Sequence, residues 1–96
     1  MHHYLIVDGM LSGTGIRDAM DGDYIDPATL GLSPALIGKI RAWLPGYQQA
    51  HYLSYADSDQ VERLDKEGLF IARLVGEELG CKVSYYSDAR QYKVAM

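Results

Sequence analysis

The chain has 96 residues, 48% of them hydrophobic and 23% charged, with a formal net charge of −4. That length fits one core with no room for a second, and the composition is that of a globular chain rather than a disordered one. Thirteen acidic residues against nine basic ones disfavour nucleic acid, whose phosphates are bound by Lys and Arg, and favour a basic protein as partner.

The longest apolar runs, Tyr4 to Val7 and Leu69 to Ala72, fall far short of the roughly 20 residues that cross a bilayer. Residues 1–20 lack the basic region, apolar stretch and small-residue cleavage site of a secretory signal. A cytoplasmic protein with no membrane partner is therefore expected. Cys81 is the one cysteine, which excludes an intrachain disulfide and a multi-cysteine zinc site. Following Gly80 and beside an apolar strand, it reads as a small, buried or half-buried residue.

In chain order, residues 3–8 (His-Tyr-Leu-Ile-Val-Asp) form a run of β-formers closed by the turn signal Asp8-Gly9, and they predict a strand. Apolar residues on both of its faces make it a central strand, or one covered by helices on one side and partly on the other. From Gly9 to Gly31, Gly13, Gly15, Gly22 and Pro27 exclude a long helix. One helical turn at Ile16 to Met20 and a brief extended segment at Tyr24-Ile25 are expected there.

Ser33 is a good N-cap and Pro34 suits the first helical position, where its missing N–H costs nothing. Leu36, Ile37, Ile40, Trp43 and Leu44 follow at helical spacing and predict a helix from 34 to about 44. Pro45-Gly46 is expected to end or kink it, with Tyr47 to Tyr55 resuming as a second helical piece.

Asp57 with Gln60 three residues later has the form of a capping box, and Gly80 suits a helix C-terminus. Between them Val61, Leu64, Ile71, Ala72, Val75 and Leu79 share a stripe, so a helix from 58 to 79 is expected. Gly68 within it costs up to about 1 kcal/mol relative to alanine, which calls for close approach of another element. Lys82 to Tyr86 reads as a strand, Ser87-Asp88 as a turn and Gln91 to Ala95 as a short strand closing a hairpin. Together these predict an α/β (α+β) domain of two layers, with two main helices packed on a sheet of three or four strands.

Motifs with chemistry are few. Ser12-Gly13-Thr14-Gly15 follows a strand but lacks the third glycine of a dinucleotide loop and the Gly-Lys-Ser/Thr of a P-loop, leaving a tight turn. Asp21, Asp23 and Asp26 do not make a calcium loop: Ile25 stands where an oxygen ligand is needed, Asp26 where a glycine is, and Leu32 where the bidentate Glu belongs. His2, His3 and His51 have no metal spacing. No carboxylate pair stands in a context that would shift one pKa, and Glu62-Arg63 and Asp65-Lys66-Glu67 read as a solvated helix face. Neither a cofactor, a metal nor an enzymatic activity is expected.

What remains is tyrosine: eight, against one phenylalanine. Tyrosine offers large contact area with a polar handle and is enriched in interface cores, although several also suit the edge of a small core. The order of a strand ending in Asp8-Gly9, a glycine-rich stretch, Leu30-Gly31-Leu32-Ser33 opening a helix with Trp43, then Gly68-Leu69 and Glu77-Glu78-Leu79 before Val83-Ser84-Tyr85 resembles small bacterial α/β proteins. Size, acidity and the helix pair with a sheet also resemble immunity proteins of bacterial toxin systems, in the barstar-like style. That resemblance implies an inhibitor covering the active site of a cognate toxin, commonly a basic nuclease, with carboxylates standing in for phosphates. The expected contact surface is Tyr47, Tyr52, Tyr55, Asp57, Asp59, Tyr86 and Asp88, with Asp21, Asp23 and Asp26 as a second patch. A homodimeric interaction module joined through its tyrosines is the alternative, and a small enzyme using His51 or a perturbed carboxylate the third.

Overall fold

The structure, a computed structural model, describes residues 2–96. The first apolar run forms β1 (Tyr4–Asp8), which pairs antiparallel with β2 (Ile16–Asp18). Two helices follow, α1 (Pro34–Tyr52) and α2 (Ser58–Leu79), then β3 (Lys82–Ser87), which pairs parallel with β1, and β4 (Tyr92–Ala95), antiparallel to β3. The sheet order is β2-β1-β3-β4. Parallel neighbours require a crossover connection, and the helix pair lies within it. The result is an α+β fold, four strands with two helices, as the patterning predicts.

Strand alternation sorts the sheet. Leu5 and Val7 of β1 and Val83 and Tyr85 of β3 join Leu36, Ile40 and Trp43 of α1 and Ile71, Ala72 and Val75 of α2 in one buried cluster. Trp43 is the centre of its aromatic part, with ring centroids 5.6 Å from Tyr47 and 6.2 Å from Tyr85. Its Nε1 donates to the Leu64 carbonyl at 2.8 Å, so the largest core side chain has no unmet polar atom.

Two local expectations are corrected. Ile16 to Met20 forms no helical turn: Ile16 is fully buried and pairs with Val7, so strand pairing with a core contact outweighs local propensity. Tyr24 does bridge to Arg17 as an extended residue. The helix begun at Pro34 does not stop at Pro45 but runs unbroken to Tyr52. Arg41 and Pro45 are both exposed, so the helix turn that lacks a backbone bond lies on the solvent side. Trp43, Tyr47 and Ala50, all buried, hold the flanking turns on the core.

Terminal signals behave as their chemistry requires. Ser33 Oγ accepts from Leu36 N at 3.2 Å and Asp57 Oδ1 from Gln60 N at 3.1 Å, capping α1 and α2. Gly80 ends α2 in the left-handed region at φ 63°. At Gly68 a β-carbon would overlap the Tyr85 ring, which is the close approach that the mid-helix glycine predicts.

Candidate functional site

Because β1 and β3 run parallel, their carboxyl ends leave the sheet along one edge, the place where open α/β sheets gather their ligands. Here Asp8 ends β1, and Ser87 ends β3 with Asp88 next to it. The β1–β2 loop and the last turn of α1 close over the same edge, bringing Met10 and Leu11 beside His51 and Tyr55.

Asp8 is 1% exposed and fully engaged. Its Oδ2 accepts from Arg17 Nε at 2.7 Å, and its Oδ1 accepts from the Tyr24 hydroxyl at 2.7 Å and from Met10 N at 3.3 Å. Burial, then the Asp8 carboxylate, drive the Tyr24 hydroxyl far above its ordinary pKa, so it stays a donor. This buried ion pair positions the β1–β2 loop and is spent on doing so.

A second carboxylate, Asp65 of α2, is buried among hydroxyls. Its Oδ1 accepts from Tyr85 at 2.6 Å and from Tyr47 at 2.9 Å, and its Oδ2 accepts from Ser87 Oγ at 2.8 Å. The Tyr47 oxygen also accepts from Ala89 N at 3.1 Å, and Ser87 Oγ from Arg90 N at 3.1 Å. Both helices, β3 and the β3–β4 turn are thus tied to one group. Burial pushes the Tyr47 hydroxyl up to about 12, which keeps it protonated. Asp65 is therefore not part of a solvated helix face. It falls between Val61 and Gly68 on the buried stripe, and hydroxyls from neighbouring elements satisfy it. Tyr47 is likewise corrected: it is fully buried, a core residue rather than one on a contact surface.

The turn fixed by this network presents Asp88. Its Oδ2 is shielded from water and has no hydrogen-bond partner. Burial raises its carboxyl to about 6, aided by the charges of Asp8 and Asp65 and opposed by Arg17. Asp88 lines a cavity of about 480 Å³ together with Tyr55, Tyr86, His51 and Gln91. Tyr55 is braced there: its ring centroid is 6.1 Å from Tyr47 and 5.7 Å from His51, whose Nδ1 lies 3.2 Å from the Tyr55 hydroxyl. Among the described residues three non-glycine positions take positive φ: Ser54, Tyr55 and Gln91. Two of them line this cavity, and backbone strain of that kind gathers at functional sites.

Of the expected contact residues, Tyr55, Tyr86 and Asp88 come together at this cavity, and Tyr52, 75% exposed, projects from the helix turn beside it. Asp57 is occupied as the α2 cap, and Asp59 is exposed in the first turn of that helix. The second patch does not join them. Asp21 Oδ1 accepts from Asp23 N at 2.8 Å, and Asp26 caps the turn Pro27–Thr29 through Ala28 N at 3.0 Å, so these two carboxylates shape their own loop. Met10, Leu11, His51 and Gln91 went unseen as neighbours of Asp88 because they come from three separate segments. The one available signal was Asp65 on an otherwise apolar stripe.

A larger cavity of about 580 Å³ lies at the opposite, amino-terminal edge of the parallel pair, lined by His2, His3, Cys81 and Lys82 among others. Its chemistry is poorer. His2 is engaged with Asp18 at 2.6 Å, and burial pushes the Cys81 thiol up, away from the reactive thiolate. No group of His, Cys, Asp and Glu suited to hold a metal ion occurs among the described residues. No helix among them is long and apolar enough to cross a membrane.

Comparison with protein-family models, with curated proteins and with solved structures gives no match to this chain.

Proposed function

We propose that the protein is a partner-binding inhibitor of the immunity type, which grips a basic protein at the end where α1 finishes and β3 turns into β4. The observation that carries this reading is the company Asp88 keeps: a shielded, unpartnered carboxylate among Tyr55, Tyr86 and His51. Beside it Tyr52 is 75% exposed, Leu53 55% and Met10 45%. Apolar and aromatic area around a shielded charge is the make-up of an interface hot spot. A net charge of −4 favours approach of a basic partner.

The test is a comparative capture experiment. Tagged wild-type chain and a Tyr52→Ala/Asp88→Asn double variant are exposed to lysate of the source cells, and bound proteins are quantified by mass spectrometry. A basic protein held stoichiometrically by the wild type, released by salt and lost with the double variant, is the expected result. Its toxic activity should fall as the chain is added. Recovery of the chain alone by both baits would replace inhibition with the homodimer.

A further inference from the structure

Asp88 poses a specific chemical question, because every neighbouring carboxylate has partners and it has none at Oδ2. Asp8 has Arg17, Tyr24 and a backbone N–H, and Asp65 has three hydroxyls. The two arginines closest in chain or charge are committed elsewhere: Arg17 Nε binds Asp8, and Arg90 Nη2 donates to the Ser58 carbonyl at 3.3 Å. A shielded, unpaired carboxylate is costly, and native structures keep such a group only with a reason.

The walls say what kind of partner the group lacks. Tyr55, Tyr86 and the His51 ring line the cavity together with Asp88, and Gln91 adds an amide. Met10 and Leu11 give the remaining side an apolar lining. Aromatic rings, a carboxylate and apolar side chains gathered around one cavity suit a planar cation on an aliphatic stem. Guanidinium meets this better than ammonium: it is planar, weakly hydrated, stacks on aromatic rings and forks onto carboxylate oxygens. The terminal torsion of an aspartate is soft, so the carboxylate can turn either oxygen toward the cation.

Building on the partner-binding reading above, we infer that the Asp88 cavity is a receptor for one arginine side chain of the bound protein, with its guanidinium on Asp88 and its stem along Met10 and Leu11. Tyr55 and Gln91 line the cavity from backbone positions at positive φ, and walls formed before the ligand arrives leave little ordering to do on binding. The arginine then acts as the anchor of the interface, while Tyr52 and Leu53 cover the surface around it.

Titration of the 15N-labelled chain with N-acetyl-arginine amide, followed by two-dimensional NMR, tests this without any protein partner. Saturable shifts are expected at Asp88, Ala89, Tyr55, Tyr86 and Gln91, with affinity in the millimolar range suited to so small a ligand. Asp88→Asn should weaken binding about tenfold or more, the loss of one charge-assisted pair. Tyr86→Leu, which leaves the carboxylate in place, should weaken it several-fold by removing one stacking wall. The uncharged citrulline analogue should not bind, and the lysine analogue should bind more weakly. Shifts that do not saturate, equal binding of citrulline or lysine, or undiminished binding by both variants would overturn the assignment. Binding of the arginine probe with no basic protein captured from lysate would leave the cavity standing and sink the inhibitor reading. Capture of such a protein with no arginine binding would do the reverse.

Discussion

The Tyr85 ring lies over Gly68, and its hydroxyl reaches past that position to donate to Asp65 Oδ1 at 2.6 Å. A strand residue thus uses the missing side chain of one helix position to reach the carboxylate three residues earlier. The glycine and the aspartate of α2 form one device, and neither makes sense without the tyrosine.

Gly68→Ala should therefore destabilise the protein although alanine is the better helix former. Helix propensity returns about 1 kcal/mol, while displacing a packed ring costs about 1–3 kcal/mol and loosens the Asp65 bond as well. The expected sign is a lower urea midpoint. A higher midpoint would show that the ring has room to move.

Asp65→Asn should cost about 3 kcal/mol, because an amide presents a donor where hydroxyls already donate. Tyr85→Phe should cost about 1 kcal/mol, the net value of a single bond. The double variant should lose less than the sum, since both act on one network. Chemical denaturation of the three variants measures that coupling, and strict additivity would break the network apart.

Asp88 makes stability depend on pH in the direction opposite to an ordinary paired carboxylate. Its folded-state pKa is raised from 3.8 to about 6, so the folded chain binds the proton more tightly than the unfolded one. This group's contribution is present below 3.8 and is lost as pH rises through about 6, with burial the main cause of the shift, Asp8 and Asp65 enlarging it and Arg17 limiting it. Asp88→Asn should accordingly stabilise the chain by about 1 kcal/mol near pH 8, after allowance for solvent screening, and have little effect near pH 4. Urea titrations at those two conditions decide it, and an equal effect at both would remove Asp88 as the cause.

Pro45→Ala should raise stability by about 1–3 kcal/mol, restoring a backbone bond inside a helix that already runs unbroken through the site. Thermal denaturation is sufficient to see it. No gain would mean that the proline stiffens the unfolded chain by as much as it costs the folded one.

Much of the fold was legible because its signals were local. Caps at Ser33 and Asp57, the C-terminal Gly80, the apolar stripe of α2 and the runs that became β1 and β3 each declare themselves within a few residues. Pro45 misled because its effect depends on which way Arg41 and Pro45 face, a tertiary fact. Ile16 misled because its partner, Val7, lies across a loop. The candidate site was only half legible: Tyr55, Tyr86 and Asp88 were singled out by residue type, but Tyr47 was misplaced because a buried and an exposed tyrosine are spelled alike. Asp65 hid among alternating charges, since its hydroxyl partners are 18–22 residues away in sequence.

The parallel pairing of β1 with β3 also dictates when the chain can fold. Tyr4 must meet Lys82 and Asp8 must meet Tyr86, so this central strand waits for the segment that follows α2. On a ribosome, Leu5, Ile6 and Val7 emerge before either partner strand and find β2 soon afterwards, but their other edge stays open until the segment after α2 has been made. Such long-range closure slows folding and leaves an apolar strand edge exposed to other chains meanwhile. Synthesis rate and chaperone supply would then bear on how much of this protein accumulates, alongside the strength of the finished core.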